Sequence, residues 1–534
     1  MAITWRKRSN HQTARGRIAR RTLVLAASVG VGIASIVSGT AAHAGQLAAA
    51  NQRYFLDCRY GNDAAKGTTP QAAWRTLARV NAVTFQAGDS ILLRRGTTCA
   101  GVLAPQGSGA SGNPIVVSAY GAGTRPAIAA GGARAAVFLH NVSGWEIRHL
   151  DVSDQTAPDG TARTGIYVLL ENYGTGSHYV VNDVKVHDVT GCDCIDPNAE
   201  ESGGILFKAA GSAVPTGFDR IQVSGNTVSG VDGFGIGTES QWSARAQYPA
   251  GTGSFAPISH VRISWNRLTN LGGDGIAVHN GVDPLIEYNS VNGFSLRATT
   301  FHAGIWAFNS DHPVMQFNQV SHGGGPLPTW AYDVDGADSN VVYQYNYSHD
   351  NSGGFMFLCA VPGTYTDGAT VRYNISQNDK GAQLGTLVIP VVTNGCGGPS
   401  NPETNVHFYN NVLYTTAATA LVGTLGQTSI AFSNNVFFGQ PSGSAILDPV
   451  GSYDHNLYFN ISPVPPGDSH AVTADPLFTN PGAGVFGYWL KCGSPALGAG
   501  TVIADNGGRD FYGFPVQTGT PPNIGAYQGP CVSG

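Results

Sequence analysis

Charge is scarce in this sequence. Only 12% of its 534 residues are Asp, Glu, Lys or Arg, and no tail or block of like charge occurs, so the composition of a disordered segment is missing. Helix-favouring stretches are missing too. Gly (72 residues), Asn, Ser, Thr and Val instead fill the chain with short apolar runs between turn residues, which argues against a helical bundle or an α/β fold and for an all-β chain of many short strands. Outside the N-terminus no apolar run is long enough to span a bilayer.

What is present begins with a leader. Basic residues (Arg6, Lys7, Arg8, Arg15, Arg17, Arg20, Arg21) precede an apolar stretch from Leu23 to about Val37 and a small-x-small site, Ala42-His43-Ala44. Residues 1–44 therefore read as a secretion signal cut after Ala44, and Arg20-Arg21 also permits a twin-arginine route. Its removal takes seven of the 29 basic residues and none of the 34 acidic ones, leaving a formal charge of −12. That balance argues against nucleic acid as a partner. A secreted monomer, free of the membrane after cleavage, is the expected form.

All eight cysteines lie beyond the leader, an even number that points to disulfides. The expected pairs are Cys58 with Cys99, Cys359 with Cys396 and Cys492 with Cys531. Cys192 and Cys194 form a C-x-C which, with His187 nearby, fits either a soft-metal site or a local or neighbouring-coil disulfide.

A repeat runs through the chain. VVNDVKV, VSGNTVSG, ISWNRLTN, IEYNSVNG, MQFNQVSH, YQYNYSHD, VRYNISQN, FYNNVLYT, FSNNVFFG and YDHNLYFN align on Asn182, Asn226, Asn266, Asn289, Asn318, Asn346, Asn374, Asn411, Asn435 and Asn456. Several of the intervals lie in the twenties and the rest are lengthened by insertions, as in a solenoid whose units bury their apolar faces only by stacking. An Asn between two strands suits a left-handed bend, and stacked Asn side chains can hydrogen-bond from coil to coil. On these repeats the chain resembles a right-handed parallel β-helix of the pectin-lyase-like superfamily, over about residues 89–478. Residues 45–88 then form an N-terminal cap with a short amphipathic helix at Ala72 to Val83. Residues 479–534, containing GYWLKCGSPALGAG and Asn523-Ile524-Gly525-Ala526-Tyr527, resemble the C-terminal segment of secreted bacterial β-helix proteins and are expected to cover the last coil.

A second strand begins at a glycine in each unit: Gly165-Ile166-Tyr167-Val168-Leu169, Gly204-Ile205-Leu206-Phe207-Lys208, Gly235-Ile236-Gly237-Thr238-Glu239, Gly275-Ile276-Ala277-Val278-His279 and Gly304-Ile305-Trp306-Ala307-Phe308. Alternation sends the second and fourth positions inward and the third and fifth outward. If Tyr332 and Val334 also face inward, Asp333 lies beside Trp306 and Asp335 ends the row of Lys208, Glu239 and His279. The opposite register would bury two unpaired carboxylates at great cost. His302, Asp274, Asp311 and Glu171 fall at strand ends, where a structural role is expected.

An outward pair of aspartates beside an exposed Trp resembles the face of a carbohydrate-active enzyme. The expectation is a glycoside hydrolase acting on a polysaccharide or oligosaccharide, with Asp333 and Asp335 catalytic, Trp306, His279, Glu239 and Lys208 binding substrate, and no cofactor. The polygalacturonase signature is absent, since the chain has no Asn-Thr-Asp and no Asp-Asp. Two other readings stay open. One is a polysaccharide lyase with Ca²⁺ on Asp333, Asp335 and Asp338 and Lys208 or His279 as base. The other is a non-catalytic glycan-binding surface protein.

Overall fold

The computed structural model describes residues 51–193, 201–358, 363–382, 387–391, 403–424, 430–441, 443–465 and 467–533. The expected leader, Cys194, and the expected pair of Cys359 with Cys396 lie outside them. Three sheets, every pair of strands parallel, wrap one continuous core, giving a β-helix. The first sheet has 15 strands, from Arg53–Leu56 to Ser452–Asp454; the second has 13, from Thr98–Ala100 to Leu457–Phe459; the third has 11, from Ala135–His140 to Ala445–Leu447. Among the described residues no helix is long and apolar enough to cross a membrane.

The asparagines stack as an internal column between the first and second sheets. The Asn266 side-chain oxygen accepts from both the backbone and side-chain N–H of Asn226, and the same double bond recurs through Asn289, Asn318, Asn346, Asn374, Asn411, Asn435 and Asn456. Each side-chain amide also donates to a backbone carbonyl of the preceding coil, for instance Asn346 to Met315 at 2.8 Å. The Asp468 carboxylate closes the column by accepting from Asn456. Asn182, aligned with these by its sequence, is not a member. Val184 takes that place, its N–H donating to Asn226, and Asn182 sits two residues earlier on the outer surface.

The left-handed bend also falls elsewhere than expected. The residue before each column Asn takes it, with φ of 59° at Trp265, 55° at Tyr288, 55° at Phe317 and 58° at Tyr345. Left-handed backbone costs a non-glycine residue about 1–2 kcal/mol. Ring stacking offsets that: Trp265 lies on Tyr288 at 4.4 Å, Tyr288 on Phe317 at 4.9 Å and Phe317 on Tyr345 at 5.0 Å.

Both ends differ from the sequence expectation. In place of one helix over 72–83 there is a 3-10 turn, Pro70–Ala72, and a five-residue helix, Leu77–Asn81, capped by the Thr76 side chain. Trp74 breaks the helix because it is drawn into the core, where its backbone bonds Phe55 and its ring nitrogen donates to Ala65. The solenoid already begins at Arg53, inside the cap region, since Arg53–Leu56 pairs with Ser90–Arg94. At the other end it is Asp468 to Val472 that cover the last coil, with Val472 bonded to Asn456 and Tyr458. The C-terminal segment instead runs along the outer face of the second sheet, packing Phe478, Leu490, Ile524 and Tyr527 on Ile375, Val412, Val436 and Leu457.

Cys58–Cys99 and Cys492–Cys531 are formed as expected. Cys192 is also disulfide-bonded, and both ring nitrogens of His187 face carboxylates, those of Asp188 and Asp151. This removes the soft-metal reading of that segment.

Asn346→Ala would strip the column of an acceptor used twice and of donors to two neighbours, all fully buried. Urea denaturation should find a loss of about 2–4 kcal/mol, whereas Asn182→Ala, outside the column, should cost under about 1 kcal/mol.

Candidate active site

The third sheet carries the site, and a local irregularity decides which residues it presents. Each glycine that opens a strand faces inward together with the residue after it: a Cβ on Gly275 would meet Val291, and one on Gly304 would meet Val320. In the next coils Ala331 and Tyr332, then Phe355 and Met356, are likewise paired core residues. Two consecutive inward residues break the alternation, as at a bulge. The residue before the glycine therefore faces outward, and Asp274 and Trp330 join the outer surface.

Across that surface run three rows. Phe234, Asp274, Ala303 and Trp330 make the first; Gly237, Ala277, Trp306, Asp333 and Phe357 the second; Glu239, His279, Phe308 and Asp335 the third. Strand register pairs Ala303 with Trp330, Trp306 with Asp333, and Asp333 with Phe357. Tyr332 and Val334 are fully buried, so Asp333 and Asp335 lie in the outward register.

Asp333 is the most perturbed of these groups. Its Oδ1 is buried with no hydrogen-bond partner among the described residues, while its backbone carbonyl accepts from the Tyr343 hydroxyl. Burial first, then the carboxylates of Asp335, Glu403, Asp338 and Asp274, push its pKa well above the usual carboxylate range. Burial and like charge thus both favour the protonated form of Asp333. Asp335 accepts from the Gly336 N–H at 2.6 Å, and its carbonyl is held by Thr366 at 2.6 Å. Same-face positions two apart on a strand are about 6.6 Å apart, within the roughly 5–9.5 Å separations used by glycosidase carboxylate pairs.

Trp306 is held beside Asp333. Its ring nitrogen donates to Asp274 at 2.9 Å, and its ring meets His279 edge-on at 5.2 Å. Asp274 also bonds His302 at 2.7 Å, and Asp193 bonds the other ring nitrogen at 2.9 Å. Burial opposes a charge on His302, but the Asp274 and Asp193 carboxylates outweigh it and push its pKa up to about 10. A charged His302 thus holds Asp274 in place under Trp306. On the opposite rim Arg245 ties its loop to Asn309, Asp311 and the Ala337 carbonyl, and Tyr248 packs on Phe308 at 5.2 Å.

The other candidates separate. His279 pairs with Glu239 at 3.3 Å, and both stay on the same face as Trp306. Glu239 lies three strands from Asp335, about 14 Å at the coil spacing. Lys208 is four strands from Asp333, about 19 Å away, and is buried in an ion pair with Glu201 at 3.0 Å. Asp338 does not join a cation site with Asp333 and Asp335. It turns into the corner, fully buried, where Oδ1 accepts from the Ser310 N–H. Among the described residues the cluster whose ligand atoms all converge for a metal is a different one, Asp454 with His455 and His470.

Three contributors escaped the sequence reading. Asp274 and His302, taken as structural strand ends, build the support of Trp306. Glu403 stands in the column of Asp338 and Thr366, because Ser339, Asp367 and Thr404 are paired. The long insertion before Glu403 hid that register, and only the aligned strand start after it carried a signal.

Comparison with known proteins gives the same architecture. A family model described as a right-handed β-helix region matches residues 204–454. A lacto-N-biosidase of Bifidobacterium longum subsp. longum is 27% identical, the match covering 90% of this chain and 36% of that protein. The chain thus spans about a third of the length of that curated relative. Among solved structures, the GH136 lacto-N-biosidase from Eubacterium ramulus superposes with a TM-score of 0.56 at 22% identity, over 79% of this chain and 67% of that one. XylC with xylose gives 0.52 at 10% identity, over 89% and 98%. The fold is a right-handed parallel β-helix.

The raised pKa of Asp333 has a stability consequence. Above the unfolded carboxyl value of about 3.9 the unfolded chain has released a proton that the folded chain keeps, so this contribution to stability falls as pH rises until the folded pKa is passed. Asp333→Asn removes that slope, and its gain in Tm over wild type should grow as pH rises above about 4. Parallel Tm curves for the two proteins would mean that Asp333 ionises as it does in the unfolded chain.

Proposed function

We propose that this protein is a secreted glycoside hydrolase that cleaves over the Asp333–Asp335 face of the third sheet. The observation that carries the reading is an outward aspartate whose protonated form is favoured by burial and like charge, Asp333, with a second carboxyl one same-face position away and the Trp306 indole paired beside it. In this reading Asp333 donates its proton to the glycosidic oxygen as the C–O bond breaks. Asp335 supports the opposite side of the anomeric carbon as nucleophile or base, and water completes hydrolysis. Trp306 stacks on a sugar ring, and the His279–Glu239 pair offers hydrogen bonds further along the face.

Similarity to lacto-N-biosidases supports the class and names the first substrate, a lacto-N-bioside. Export and action as a monomer belong to the same proposal, supported by the leader-like residues 1–44 and by the disulfides Cys58–Cys99 and Cys492–Cys531. Against the lyase alternative stand the ion pair of Lys208 with Glu201 and the turn of Asp338 into the corner, which leave His279 as its remaining base.

Wild type should release p-nitrophenol from p-nitrophenyl β-lacto-N-bioside or reducing ends from a panel of glycans. Asp333→Asn and Asp335→Asn should each lower kcat by about 10²–10⁴-fold. Trp306→Ala should mainly raise KM. Full activity in both Asp variants would overturn the site; a product absorbing as an unsaturated uronide would overturn the hydrolase; binding without cleavage across the panel would leave a glycan-binding protein.

A further inference from the structure

At the last coil, in a different sheet from the aspartate face, two imidazoles converge on one carboxylate oxygen. The Nδ1 atoms of His455 and His470 lie 2.7 and 2.9 Å from Asp454 Oδ1. Their rings stack at 4.1 Å with planes 24° apart. One ligand atom from each of the three residues falls within 4.8 Å of the others.

Each group is held by a different rigid feature. Asp454 ends the strand Ser452–Asp454, and His455 occupies the left-handed corner with φ 55°. His470 is set by Asp468, whose carboxylate accepts from the backbone N–H of His455, Asn456 and His470. The Asp468 turn that closes the asparagine column therefore also aims His470 at Asp454. All three side chains remain open to solvent, at 42%, 24% and 57% for Asp454, His455 and His470, so an ion can reach them.

Chemistry distinguishes this cluster from an ordinary surface ion pair. Two stacked imidazoles bring their Nδ1 atoms to the same carboxylate oxygen, so three ligand atoms share one small volume. A divalent cation takes both nitrogen lone pairs and the carboxylate together. Two imidazoles and a carboxylate suit Zn²⁺, with nitrogens at about 2.0–2.1 Å, oxygen at about 2.0–2.2 Å and water in the fourth position. Hard cations such as Mg²⁺ prefer all-oxygen sets.

We propose that Asp454, His455 and His470 bind a first-row divalent transition metal, with Zn²⁺ as the probe, tying the closing turn to the last coil. The proposal is independent of the hydrolase reading. Protein stripped with EDTA and dialysed should take up one Zn²⁺ per chain in calorimetric titration. Its Tm should rise with ZnCl₂ and not with MgCl₂. His455→Ala and His470→Ala should each weaken Zn²⁺ binding at least tenfold and abolish the Tm rise, with circular dichroism unchanged. Should His455→Ala misfold at its strained corner, His470→Ala, on the exposed turn, decides. No uptake by wild type at 100 µM ZnCl₂, or equal uptake by His470→Ala, overturns the site.

Discussion

The column of buried asparagines is the constraint on which this protein depends. Each side-chain amide spends its hydrogen bonds on the coil before and the coil after, so adjacent coils can pair in one register only. A slip of one residue would leave buried amides unpaired and turn every strand inside out. The same register places two acids on the face of the third sheet: the stacking that satisfies Asn318, Asn346 and Asn374 goes with Asp333 and Asp335 pointing outward.

The same constraint shapes the electrostatics of the face. Asp274, Asp333, Asp335, Asp338 and Glu403 gather within a few coils, yet the cations that serve them stand at the margins. His302 is committed to Asp274 and Asp193, and Arg245 to Asp311 and backbone. Burial and the like charges of Asp335, Glu403, Asp338 and Asp274 both favour the protonated form of Asp333. A neutral acid beside a second carboxyl is what general acid chemistry on a glycosidic bond requires. If that face is the proposed site, stability and function pull in opposite directions there.

The fold was legible because its signal repeats. Nine of the ten aligned asparagines proved to be members of one column, and the aspartate register followed from the cost of burying carboxylates. Asn182 misled because its segment has an apolar-Asn look without an Asn at the stacking position. The terminal pieces misled because a single short segment has no repeat to average over: Trp74 breaks its helix through a core contact, and the C-terminal segment finds the side of the second sheet in place of the open end.

Within the site the division is the same. The sequence by itself determined the parallel solenoid, the outward placement of Asp333 and Asp335, and the adjacency of Asp333 to Trp306, because each rests on a strand period and a desolvation penalty that act locally. Only the tertiary structure decided that Asp274 and Trp330 face outward, that Glu403 reaches Asp333 from two coils beyond Asp338, and that Lys208 belongs to Glu201. Those facts turn on a glycine irregularity, on insertions of arbitrary length and on a partner from a loop. None has a period, so each is settled by which side chains the stacked coils bring into contact.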